Sequence, residues 1–153
     1  EPFFYTYKTA NAVGKLYPVF FDVFYMNKYE ELVERLGLRM QDKAKTLSSG
    51  LAAKLKLAAT LARSASLYLL DEPLNGIDII AREQVIEAVK EVAGENATIV
   101  MSSHLVDELE KIIDDAFFVK EGSIVLAGEA KQLHKERGKT IVELYKEIYA
   151  YSA

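Results

Sequence analysis

From Leu67 to Leu70 the chain runs four apolar residues without a polar break, then turns to Asp71, Glu72 and Pro73. A short apolar run bounded by turn residues predicts a strand buried on both faces, as in a parallel sheet. Pro73 stops it, because proline cannot donate to a sheet ladder. Residues Ala97 to Met101 repeat the pattern and end in Ser102-Ser103-His104. Between the two runs, Asn75-Gly76 marks a turn and Asp78 caps a helix predicted from Ile79 to Val92, closed by Gly94. Strand, helix and strand in that order predict a right-handed parallel crossover. Both strands then end on one edge of the sheet, which brings His104 to the edge that carries Asp71 and Glu72.

The flanking stretches follow helical and hairpin periods. Thr9 is the expected cap of a helix from Ala10 to about Tyr17, ended by Pro18. Lys28 to Leu36 places Tyr29, Leu32, Val33 and Leu36 on one helical face, with Gly37 as its stop. Residues 39–46 form a polar connection. Leu47-Ser48-Ser49-Gly50-Leu51 opens a long apolar helix reaching about Arg63, with Ser48 or Ser49 as its cap. Lys54, Lys56 and Arg63 are spaced to leave the stripe Leu55, Ala58, Ala59 and Ala62 free to pack. A further helix is expected over Val106 to Ile113, with Asp107, Glu108, Glu110 and Lys111 outward. Ala116–Val119 and Ser123–Ala127 pair as a hairpin around Lys120-Glu121-Gly122. Glu129 to about Tyr149 is helical, broken near Gly138, with Ile141, Leu144, Tyr145 and Ile148 on its apolar side.

Composition narrows the class. The 153 residues are 50% apolar and 27% charged, enough for one globular domain with a core. No run of 18 apolar residues occurs, so no transmembrane helix is expected. Residues 1–25 lack the basic start and continuous apolar centre of a signal peptide. The absence of cysteine excludes disulfides and thiolate metal sites and fits a cytosolic protein. A net charge of −4 argues against broad nucleic-acid binding. Ten of the sixteen Phe and Tyr residues fall in residues 1–29. The cluster Phe20, Phe21, Phe24 and Tyr25 is too dense for a solvated face; it reads as the core of a small helical subdomain, as a groove for a partner's helix, or as both.

The chemistry gathers at the strand ends. Ligands of open α/β sheets bind at the carboxyl edge of the strands. Two adjacent buried carboxylates are costly unless something positive neutralises them, and a divalent metal on a nucleotide suits Asp71 and Glu72. On their own the two acids could equally open a surface loop. The serine-rich helix start is a second anion site in principle, through its free amides and the positive end of the dipole, although a plain serine cap explains it as well. His104 alone would be read as structural; the shared edge favours a functional role.

Taken in order, Leu47-Ser48-Ser49-Gly50, then about twenty residues to Leu-Leu-Asp-Glu-Pro, then Asn-Gly-Ile-Asp, then Ser-Ser-His, resemble the second half of an ABC transporter ATP-binding subunit. The resemblance covers residues 1–130 and is greatest to bacterial subunits paired with export-type or ABC-2-type permeases. It implies an α/β fold: a P-loop NTPase-like partial parallel sheet with an α-helical subdomain. Residues 1–66 would be the helical subdomain with the signature loop at its end, 67–128 the second half of the nucleotide-binding core, and 129–153 a C-terminal helical extension. It also implies roles. Leu47, Ser48, Ser49, Gly50 and Leu51 would form the signature loop, gripping the γ-phosphate of ATP held by the opposite subunit. Asp71 would hold Mg²⁺ through water, Glu72 would be the general base, Asp78 would lie at the dimer seam, and His104 would be the switch histidine. The implied partners are an integral membrane permease and a second ATP-binding subunit, with no nucleic acid. The implied location is cytoplasmic, peripheral on the inner face of the cell membrane.

Three features depart from the family pattern. Ser49 stands where a glycine is usual, and its Cβ would be strained at any positive φ. Leu51 replaces a glutamine. No Gly-x-x-x-x-Gly-Lys-[Ser/Thr] occurs in the 153 residues, so the main phosphate cradle is absent from this sequence. The chain thus reads as a fragment of a transport ATPase, inactive alone and prone to pair through an open sheet edge. Two other readings stand beside it. One is a degenerate, non-catalytic cassette that acts as a dimerisation module. The other is a chromosome-maintenance or DNA-repair ATPase of the ABC type.

Overall fold

Helix α1 (Ala10–Phe20) starts where Thr9 Oγ1 accepts the Ala12 amide at 3.2 Å. The structure, a computed structural model, describes residues 9–94 and 97–150. Phe3, Phe4, Tyr5 and Tyr7 of the aromatic block lie outside them. The chain divides into two units, Glu1–Ser103 and His104–Ala153.

In the first unit α1 does not stop at Tyr17 as expected but runs through Pro18 to Phe20. Proline in the last turn forfeits only one N–H near an end that is already short of partners. Phe21 N–H still reaches Tyr17 O at 3.0 Å. Packing offsets the loss: the Tyr17 ring lies tilted against both Phe21 and Phe24 with centroids 5.4 Å apart, and Phe24 lies 5.5 Å from Tyr29. Helix α2 (Met26–Arg35) buries Tyr29, Leu32 and Val33 as its period predicts, with Leu36 buried behind it, and Gly37 ends it at φ 77°. Helix α3 (Ser49–Leu61) buries Leu55, Leu57, Ala58, Ala59 and Leu61. The turn between α1 and α2 is tied to the end of α3, with Tyr25 N–H on Ala62 O and Ser64 N–H on Val23 O. The Arg63 guanidinium lies 3.8 Å over the Phe21 ring.

Two consequences of this packing are measurable. A Cβ on Gly14 would stand 2.5 and 2.6 Å from ring carbons of Tyr29. Gly14→Ala is therefore expected to destabilise by about 1–3 kcal/mol, against the usual gain of a helical Gly→Ala change. Urea unfolding checks the sign. Burial also pushes the Tyr17 hydroxyl up to about 12, opposed by Arg63, and pushes Tyr29 up as well, with Tyr17 adding to it. The folded chain then holds these protons at pH values where the unfolded chain releases them. Their contribution is complete below about pH 10, the ordinary phenol value, and is lost as pH rises from there towards 12. Thermal melts between pH 8 and 12 should be flat at first and fall above about pH 10.

Strands β1 (Leu67–Asp71) and β2 (Thr98–Ser102) pair in parallel, as expected, with Leu67 opposite Thr98 and Asp71 opposite Ser102. Helix α4 (Ile79–Gly94) connects them. The expectation of strands buried on both faces is not met. Tyr68 and Leu70 are buried, whereas Leu67, Leu69 and Val100 are 51%, 72% and 53% exposed. Side chains alternate across a strand, and among the described residues only one face of this sheet is covered. Arg35 joins α2 to α4 through Glu91 and, at 3.6 Å, Glu87.

The second unit is built on a hairpin. Strands β3 (Asp115–Lys120) and β4 (Ser123–Glu129) meet at Glu121 and Gly122, both with positive φ, the geometry of a two-residue turn that matches strand twist. Helix α5 (Val106–Leu109) is shorter than the expected span to Ile113. Ile112 and Ile113 amides both fold back on Leu109 O, and the Glu110 carboxylate, expected outward, accepts the Ile141 amide at 2.6 Å. Helices α6 (Ala130–Arg137) and α7 (Ile141–Tyr149) are separated by Gly138 at φ 64°. Thr140 and Glu143 form a reciprocal cap on α7. Ala116, Phe118, Leu133, Ile141 and Leu144 are the core, and Lys120 Nζ donating to Ile148 O holds α7 to the hairpin.

Candidate functional site

Strand register puts the two acids in different situations. Asp71 is the last residue of β1, exposed, and faces Ser102 across the ladder. Ser102 Oγ donates to Asp71 Oδ1 at 2.5 Å and accepts the Glu72 amide at 3.0 Å. One hydroxyl thus fixes both positions. Glu72 itself adopts φ 45°, a left-handed backbone that costs a non-glycine residue about 1–2 kcal/mol. The Glu72 carbonyl accepts the Asn75 amide at 3.0 Å, closing the turn, and its carboxylate Oε2 is shut off from solvent. A strained residue over-determined by its neighbours is common at functional sites. Ser102 was not singled out from sequence. The signal was present: it is the residue that parallel register sets opposite Asp71.

The serine-rich loop forms a second cluster. Ser48 Oγ accepts the Leu51 amide at 3.3 Å and caps α3, and Leu47 immediately precedes it. Ser49 is the first helical residue and has no positive φ, so the strain expected of its Cβ does not arise. Gly50 is required for a different reason: a Cβ there would stand 2.5 Å from Gly76 O. The loop thereby packs on the turn that follows β1, and Gly76 in turn needs its φ of 72°. Asp78 Oδ1 accepts the Ala81 amide at 3.0 Å and caps α4. Residues 48–51, Lys54 and 76–78 line a cavity of about 230 Å³. Lys54 was expected on the outer side of α3. It is instead 6% exposed, because the helix face bearing Gly50 is the one that meets the 76–78 turn.

The structure therefore brings Ser48, Ser49, Gly50 and Leu51 together with Asp78, and Asp71 together with Glu72 and Ser102. His104 is exposed and opens the second unit, two residues after Ser102 in the chain. Among the described residues no cluster of three or more His, Cys, Asp and Glu side chains could hold a metal ion. Magnesium on a nucleotide needs no such cage; one carboxylate with substrate phosphates suffices. Asp71, exposed and fixed by Ser102, fits that demand. No helix among the described residues is long and apolar enough to cross a membrane.

A parallel strand pair whose first strand ends in two acids, beside a capped helix start, belongs to a mixed α/β fold, and the solved structures that it resembles are ABC ATPase domains of the P-loop NTPase class. A solved ATP-binding subunit of an ABC transporter superposes with a TM-score of 0.82 at 22% identity, covering 95% of this chain and 64% of that one. The chain belongs to the ATP-binding proteins of ABC transporters. It is 34% identical over 140 residues to the ABC transporter ATP-binding protein YtrB of Bacillus subtilis, covering 89% of this chain and 47% of that protein. It is 37% identical over 100 residues to the lantibiotic transport ATP-binding protein SrtF of Streptococcus pyogenes, covering 64% of this chain and 44% of that protein. The chain thus spans about half the length of the curated relatives it matches. No protein-family model matches it.

Proposed function

We propose that this chain is the signature-loop half of an ATP-hydrolysing subunit that drives a bacterial membrane transporter. The observation that carries the reading is the Asp71-Glu72 pair at the carboxyl end of a parallel strand, both held by Ser102. Asp71 is the magnesium-side carboxylate, and the metal, when bound, supplies charge neutralisation on the phosphates. Glu72 is the general base that takes the proton of the attacking water. His104 bonds the terminal phosphate. Leu47 to Leu51 receive that phosphate from the nucleotide of a facing subunit, through the Ser48 hydroxyl and the helix-start amides. Asp78 lies at the seam between the two. Phosphoryl transfer asks for positioning and charge compensation more than for covalent chemistry, and these residue types supply both.

The division of labour follows: residues 1–66 as helical subdomain, 67–128 as half of the nucleotide core, 129–153 as a helical extension. Val19, Phe20, Val23 and Tyr25 are 73%, 68%, 45% and 53% exposed at the end of α1 and the turn beyond it. An apolar patch of that kind supports docking of a permease helix, while Tyr17, Phe21, Phe24 and Tyr29 serve the interior. The working location is then the inner face of the membrane.

The test is magnesium-dependent ATP hydrolysis by the protein expressed from its complete gene. The expected result is hydrolysis that stops on chelation of magnesium. Pairing with a second subunit without hydrolysis would favour a non-catalytic cassette.

A further inference from the structure

Ser102 ends β2, and its hydroxyl is bonded to both acids of the site. A hydroxyl has one proton and two acceptor lone pairs. The proton goes to Asp71 Oδ1 at 2.5 Å, a distance proper to an O–H group on an ionised carboxylate. A lone pair takes the Glu72 amide at 3.0 Å. The two bonds run head to tail, from amide to hydroxyl to carboxylate, so each polarises the next. They differ in what else supports them. The Glu72 amide also lies 3.2 Å from Ser102 O, so that backbone stays paired without the hydroxyl. The Asp71 carboxylate stands at an exposed strand end, and the Ser102 proton is the bond that sets its rotation. With Oδ1 so engaged, Oδ2 keeps all its lone pairs for a cation or a cation-bound water.

We propose that Ser102 is a positioning residue of this site: its hydroxyl sets the Asp71 carboxylate for a magnesium ion on a nucleotide and, through the same oxygen, ties that setting to the backbone of Glu72. The proposal rests on the reading of Asp71 as the magnesium-side carboxylate and Glu72 as the base, and adds to it the group that aligns the two. The hydroxyl acts through Asp71 and Glu72, not on the nucleotide itself. Partners that orient a metal-side carboxylate carry about tenfold to a hundredfold in metal affinity or activity. Ser102 belongs at the lower end of that range, because it and Asp71 are both exposed.

The test uses the protein expressed from its complete gene and a non-hydrolysable ATP analogue, with binding measured by equilibrium dialysis in magnesium and in EDTA. This readout needs no turnover. Ser102→Ala should lose about tenfold of the affinity measured in magnesium and none of that measured in EDTA. The magnesium concentration for half-maximal hydrolysis should rise with it. Ser102→Thr carries the same hydroxyl on a residue suited to strands and should recover most of the loss. Ser102→Cys is close in size but a weak donor; it should follow Ser102→Ala, and it decides the matter if the alanine variant fails to fold. Unchanged affinity in magnesium for the alanine and cysteine variants overturns the proposal. So does an equal loss in magnesium and EDTA, or a folded Ser102→Thr that binds no better than Ser102→Ala. Asp71→Asn tests the underlying reading and should abolish the gain from magnesium. If that gain survives Asp71→Asn, the metal role of Asp71 falls and the proposal with it. If it is lost there while the Ser102 variants match wild type, Ser102 alone is overturned.

Discussion

Glu72→Gln, in the protein expressed from its complete gene, should lower steady-state ATP hydrolysis about 10²–10⁴-fold while leaving ATP bound. The amide keeps the size of the side chain and loses only the proton acceptor. Backbone geometry is expected to survive, because the left-handed turn at Glu72 is held by its own amide on Ser102 and its carbonyl under Asn75, bonds that the substitution keeps. Coupled-enzyme assay and retention of labelled ATP on a desalting column check the two halves of the expectation. Rapid turnover by the variant would remove Glu72 from the base role. Simultaneous loss of hydrolysis and of ATP retention would mean that the side chain serves binding.

Among the glycines described in the first unit, Gly50→Ala should be the most disruptive added methyl. The added carbon meets a backbone oxygen, Gly76 O, at 2.5 Å, and backbone cannot rotate away as a side-chain tip can. Overpacking of this kind costs about 1–3 kcal/mol, and the relief available is to lift the loop off the 76–78 turn. Gly37→Ala is the informative comparison. Nothing lies within 4 Å of a Cβ there, so its cost comes from φ 77° alone. Urea unfolding should show both variants destabilised, while triphosphate binding at the serine loop falls only for Gly50→Ala. Binding unchanged in Gly50→Ala would mean that contact between loop and turn does not shape the site.

Much of this arrangement was legible in the residues. The apolar runs 67–70 and 97–101, with a helix-length span between them, predict a parallel pair, and the observed register sets Asp71 opposite Ser102. The caps at Thr9 and Ser48, the stop at Gly37 and the break at Gly138 follow from local chemistry and are found in place. What escaped depends on contacts distant in sequence. The period of α3 says which residues share a face but not which face meets the 76–78 turn, and so it misplaced Lys54. Pro18 suggests a helix end, yet rings brought together from residues 17, 21, 24 and 29 carry α1 past it. An apolar run does not reveal how many faces are covered, which is why Leu69 is 72% exposed. Glu72 at φ 45° leaves no trace in composition, since glutamate has no preference for that backbone.

The most direct test of the central claim is the mass in solution of the complete gene product carrying Glu72→Gln, measured by light scattering with and without magnesium-ATP. If residues 47–51 receive the nucleotide of a facing subunit, ATP should double the mass, and Ser48→Arg should abolish the doubling while leaving the protein folded. A mass that stays the same with ATP bound would contradict the account, because the serine loop would then have no nucleotide to receive.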